Sequence, residues 1–87
     1  PSHVLEQSQT LERGSVYGER LEVLFNNFMI TYAKQVTTPL YLTKAALASL
    51  GDAFSVAELS EALSPSNPTL GTRFVANLIK FDVVRLC

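Results

Sequence analysis

Apolar residues recur along this chain at helical spacing, and residues that start or stop helices bound each recurrence. Tyr17, Leu21, Leu24, Phe25, Phe28, Met29, Tyr32 and Val36 fall on one broad stripe at roughly 100° per residue. They predict a long helix over 16–36, capped by Ser15. Val23 and Ile30 lie on the other side of that helix, among Glu19, Asn26, Asn27 and Lys34. One stripe joins a helix to a core. A second seam needs a second partner, unless these two are scattered exposed apolar residues, which are common. On the first reading a homodimer contact runs through this helix, with Val23, Ile30, Phe25, Phe28 and Met29 as its interface.

Thr37-Thr38-Pro39 ends the long helix, because the residue before proline is pushed out of the α region. Two readings follow. Pro39 opens a new helix capped by Thr38, or Leu40-Tyr41-Leu42 is extended and Thr43 is the cap. In both, 44–50 is helical and Gly51 stops it. The next start is the clearest local signal. Ser55-Val56-Ala57-Glu58 is a capping box, and Phe54 and Leu59 have hydrophobic-staple spacing around it. The helix runs over 56–63, with Ala57 or Val56, Leu59, Ala62 and Leu63 inward and Glu58 and Glu61 outward. Ser64-Pro65-Ser66-Asn67-Pro68 is a turn by composition. Asn67 caps a further helix, with Pro68 in its first position, running to about Phe81. Leu70, Phe74, Val75, Leu78 and Phe81 line its buried side. Gly71 inside it costs roughly 1 kcal/mol against alanine, so a local reason is expected, such as close approach of another backbone. Asp82 ends the helix, and Val83-Val84-Arg85-Leu86 is strand-like.

Before Ser15 the pattern thins. Leu5 and Leu11 are sparse, so residues 1–14 are expected to be a flexible lead-in ended by Gly14, with a short helix around Leu5–Arg13 as its structured option. Residues 15–87 form one domain, the only sensible count for 87 residues. The apolar share, 47%, suffices for a small core and is too high for a disordered tail.

The order FSVAELSEAL, SPSNPTLGTRFVANLIKF, DVVRL resembles the helix-turn-helix core of winged-helix domains, over about Leu40–Leu86. The resemblance implies an all-α fold with a minor β element: a winged-helix-like three-helix core, beside the added long N-terminal helix. It further implies that the third helix, 68–81, enters a groove of DNA. Three departures stand out. Asp82 occupies the turn where many members have glycine, the joint between second and third helices is longer than the tightest versions, and Cys87 comes before a wing hairpin could close. Either the chain is cut there, or the N-terminal segment does the wing's work, or there is no wing.

Charge and side-chain chemistry sharpen the expectation. The net charge of −1 exerts no general pull on phosphate, but residues 64–87 carry Arg73, Lys80 and Arg85 against Asp82 alone. The third helix presents Thr69, Thr72, Arg73, Ala76 and Lys80, with Asn77 at the border, where it either contacts DNA or braces the core. Threonines can meet base edges and the thymine methyl, and Arg73 can fork onto guanine or phosphate. Lys80, two turns on, suits a backbone phosphate. The free amides at the helix start could hold another. The expected function is therefore a DNA-binding transcription regulator, a homodimer on double-stranded DNA at a pseudo-palindromic site. The rival is a helical protein-interaction or oligomerisation module that uses the Val23/Ile30 seam, since any surface helix shows a polar face and fold does not fix function.

Enzymatic readings fare worse. His3 is the only histidine and lies in the lead-in, and no phosphate loop, metal-spaced His/Cys set or clustered acidic pair occurs. No metal, cofactor or catalytic residue is expected. Cys87, the lone cysteine, makes no internal disulfide. No membrane span or signal peptide is read, and a cytoplasmic location is expected.

Overall fold

The computed structural model describes residues 5–17, 19–24 and 40–87. In chain order these form β1 (Thr10–Arg13), α1 (Glu19–Leu24), α2 (Leu40–Ser49), β2 (Ala53–Ser55), α3 (Val56–Leu63), α4 (Pro68–Lys80) and β3 (Val84–Leu86). The three strands make one antiparallel sheet in the order β2-β1-β3. The all-α expectation is therefore corrected: the fold is mixed α/β.

The source of that error is β1. Residues 10–13, expected in the lead-in, are the middle strand, with Leu11 opposite Phe54 on one side and Leu86 on the other. Leu11 is fully buried and Thr10 and Glu12 are exposed, the alternation of a strand with one face on a core. Its burial contributes about 2 kcal/mol. Four residues carry too little periodicity to announce a strand. The state is imposed by partners far along the chain.

The segment before β1 is tied by main-chain bonds as well. The first amides of α3, Val56 and Ala57, donate to the carbonyls of Gln9 (2.9 Å) and Gln7 (3.0 Å). Helix starts leave such donors without intrahelical acceptors, so the N-terminal segment supplies what the helix lacks. Ser55 completes the cap: its hydroxyl accepts from Glu58 N at 3.1 Å, and the Glu58 carboxylate accepts from Ser55 N at 2.8 Å.

The first helix starts later than expected. Ser15 is not its cap, because the Ser15 amide (3.1 Å) and hydroxyl both donate to the Asp82 carboxylate. Val16 N donates to the Asp82 carbonyl and Tyr17 N to that of Gly14, which makes a turn, and helix begins at Glu19. Leu21 enters the core. The expected continuation over 25–36, and with it Phe25, Phe28, Met29 and Ile30, lies outside the described residues, as does the Val23 side chain.

Helix α2 includes Leu40, so Leu40-Tyr41-Leu42 is helical rather than extended. Ala46 and Leu47 are buried. Its C-terminal carbonyls are collected by one side chain. Arg13 Nη2 donates to the carbonyls of Leu47 and Leu50 (2.9 Å for Leu50), and Nη1 to Gly51 at 2.8 Å. The guanidinium also lies 5.2 Å from the Tyr17 ring centre and 5.6 Å from that of Phe54. A planar fork at a helix C-terminus satisfies orphan acceptors and complements the helix dipole.

Helices α3 and α4 pack closely at Gly71. A Cβ there would lie 2.2 Å from the Ser60 carbonyl oxygen. The expected reason for this glycine, close approach of a backbone, is the observed one. Behind the contact, Val56, Leu59, Leu63, Phe74, Val75 and Leu78 share one core with Leu11, Phe54, Val83 and Val84.

Asp82 turns the chain from α4 into β3 with φ 59°, a left-handed conformation that aspartate adopts at modest cost. Gly14 crosses directly over it: a Cβ on Gly14 would lie 2.1 Å from the Asp82 carbonyl oxygen. The Asp82 carboxylate also pairs with Arg85 at 3.1 Å. The Ser15 hydroxyl and amide, assisted by Arg85, hold its pKa below the ordinary carboxylate value, against a smaller opposing effect of desolvation. A depressed native pKa stabilises the fold above the unfolded-state pKa of about 4. That stabilisation drains as pH falls through the native value. The melting temperature of the parent is therefore expected to fall more steeply below about pH 4 than that of Asp82→Asn, which keeps the left-handed turn and has no charge to lose. Parallel melting curves from pH 6 to pH 2 would refute the assignment.

Candidate nucleic-acid interface

Helix α4 separates into two faces as its period requires. Gly71, Phe74, Val75 and Leu78 are buried. Thr69, Arg73, Ala76 and Lys80 are exposed and follow one another by four, three and four residues, a single line along the helix. No carboxylate interrupts it. Arg73 and Lys80 stand about 10 Å apart along the axis, at 1.5 Å per residue. The ion pairs among the described residues are Lys44–Glu22 at 3.6 Å and Arg85–Asp82, so neither cation of the line is neutralised by one of them. Lys80 Nζ lies 5.8 Å from the ring centre of Phe81. On the preceding helix, Glu58 is engaged by Ser55, and Glu61 is exposed.

Thr72, expected on this face, is placed differently, whereas Asn77 lies at its border as expected. Thr72 is half-buried and its hydroxyl is fully used. It donates to the Pro68 carbonyl (3.1 Å) and lies 3.2 Å from Ser60 Oγ, while Gln7 Nε2 donates to it at 3.1 Å. A hydroxyl has one proton and two lone pairs, so Thr72 has nothing left for a base. Asn77 is half-buried at the edge of the line, and its carbonyl accepts from Phe81 N at 3.2 Å.

The expected phosphate site at the start of α4 contracts too. Pro68 has no N–H, Asn67 Oδ1 takes Leu70 N at 3.2 Å, and the Asn67 carbonyl takes Gly71 N at 3.0 Å. Thr69 N is the remaining donor of that turn. The start of α3 offers still less, because Gln9, Gln7 and Ser55 already occupy its first, second and third amides.

The structure adds one neighbour that the sequence did not single out. Gln7 reaches α4 from 65 residues away, and no local pattern distinguishes it from the other polar residues of its segment. The expected dimer residues Ile30, Phe25, Phe28 and Met29, and the side chain of Val23, lie outside the described residues.

Among the described residues no cluster of His, Cys, Asp and Glu could hold a metal ion, and no helix is long and apolar enough to cross a membrane. Comparison with protein-family models, curated proteins and solved structures returns no match.

Proposed function

We propose that this chain binds double-stranded DNA through the exposed face of α4, as the DNA-binding part of a transcription regulator. The observation that carries the reading is the unbroken line Thr69, Arg73, Ala76, Lys80, two cations and two small residues with no acid between them. A helix of this kind fits a major groove, where small side chains permit close approach and arginine forks onto guanine or phosphate. Arg73, in the middle of the line, reaches base edges. Lys80, at the C-terminal end, holds backbone phosphate. Thr72 braces the helix from inside and is not part of the contact.

Two cations per copy are few. Each neutralised phosphate adds about 0.9 to the slope of log affinity against log salt, so a single copy would bind weakly. The reading therefore includes two copies on one site, their α4 helices in successive major grooves.

Fluorescence anisotropy on a labelled duplex tests this. Arg73→Ala and Lys80→Ala are each expected to weaken binding while leaving the circular dichroism melt unchanged. Lys80→Ala should reduce the salt slope by about 1 per site. Lys44→Ala, on α2 and paired with Glu22, should bind like the parent. Equal binding by the parent and both α4 variants would remove the interface.

A further inference from the structure

We propose that Gln7, in the loop before β1, reads an adenine beside the α4 line and is held in register for this by Thr72. The inference rests on the DNA-binding reading and adds a specificity-determining residue to it.

The loop is fixed. The Gln7 and Gln9 carbonyls accept from Ala57 N and Val56 N, and Gln9 N donates to the Glu6 carbonyl at 3.1 Å while its side chain accepts from Glu6 N at 3.1 Å. The Gln7 side chain is exposed and its Nε2 meets Thr72 Oγ1 at 3.1 Å. Thr72 lies three residues from Thr69 and four from Ala76, so it adjoins both on the helix surface. Gln7 is thereby anchored on the flank of the exposed line.

The hydrogen-bond arithmetic also sets the orientation of the carboxamide. Thr72 gives its one proton to the Pro68 carbonyl. Ser60 must then donate to Thr72, and Gln7 must approach with N–H rather than with oxygen. That leaves Gln7 with one N–H and Oε1, a donor beside an acceptor. Adenine presents the complement in the major groove: N7 accepts and the N6 amino group donates. Thymine, guanine and cytosine do not offer that pair. Glu6 in the same loop makes the loop a poor holder of phosphate, so the contribution is to base identity rather than to overall affinity.

The test is selection of 20-base-pair duplexes with randomised centres by the parent, Gln7→Ala, Gln7→Met and Thr72→Val, with sequencing of the bound pool. The parent should enrich adenine at one position of each half-site. Gln7→Met keeps the side-chain volume and removes the amide. It and Gln7→Ala should lose that preference by roughly 5- to 100-fold, with an unchanged salt slope. Thr72→Val keeps the shape, releases the tether, and should blur the same position. An unaltered adenine preference in Gln7→Met, or a parent that enriches no adenine while Arg73→Ala still weakens binding, overturns the role of Gln7 and leaves the interface standing. A parent that does not bind duplex at all overturns both.

Discussion

Gly71→Ala is expected to be strongly destabilising, although it adds only one methyl group. In an ordinary helix interior the substitution stabilises by roughly 1 kcal/mol. Here the new Cβ would sit 2.2 Å from the Ser60 carbonyl oxygen, 2.8 Å from its carbon and 3.0 Å from its Cα. These are backbone atoms in the middle of α3, so no side-chain rotation relieves the overlap. The helices must separate, which loosens Phe74, Val75 and Leu78 against Leu59 and Leu63 and stretches the Ser60–Thr72 contact. Overpacking of this kind costs about 3 kcal/mol, a large share of a total stability on the order of 10 kcal/mol for a chain of this length. The melting temperature should drop by roughly 15 °C. Gly51→Ala, where the nearest atom would be 3.9 Å from the new Cβ, is the control and should melt close to the parent. A Gly71→Ala protein as stable as the parent would mean that α3 and α4 do not approach as described.

Arg13→Met should come second. The methionine keeps much of the apolar stem and removes every donor. The carbonyls of Leu47, Leu50 and Gly51 lose their guanidinium partner, and unsatisfied partly buried acceptors cost about 1–3 kcal/mol each when water cannot replace the bond. Water reaches some of them at this helix end, so a loss of about 3 kcal/mol is expected in urea titration, with faster amide exchange in the last turn of α2. Arg13→Lys should recover less than half of it, because an ammonium is a point charge and cannot span three carbonyls in one plane. If Arg13→Lys matches the parent, charge near the helix end is the whole effect and the fork geometry contributes nothing.

These two sites differ in how far the sequence discloses them. Gly71 is legible as an anomaly, since a glycine inside a strong helical pattern requires a cause. The same holds for most of 54–86. The capping box at Ser55 and Glu58, the Asn67-Pro68 start and the turn at Asp82 are all written within four residues of the atoms they satisfy. Local chemistry of that range survives in a linear reading. Arg13 does not, because its partners lie 34 to 38 residues away, and in sequence it is one more charge in a polar stretch. The same distance hides β1, whose neighbours are Phe54 and Leu86, and hence the sheet and the mixed α/β class.

The candidate surface divides along the same line. Thr69, Arg73, Ala76 and Lys80 were legible because helical period alone fixes which residues share a face. Thr72 sits at the margin of that face, where a distant partner decides its role. The period could not foresee Gln7, nor the capture of the first α3 amides by the segment before β1.

One consequence of the strand order concerns how the molecule is made. The earliest described strand is the middle of the sheet, and its second neighbour is the last element described, with Cys87 N donating to the Thr10 carbonyl at 3.1 Å. The α3–α4 hairpin can close on itself as soon as Lys80 has left the ribosome. The sheet cannot gain its third member until Leu86 is free, so the pairing of β1 with β3, the longest strand-to-strand closure among the described elements, comes after the α3–α4 hairpin and carries the larger entropy cost.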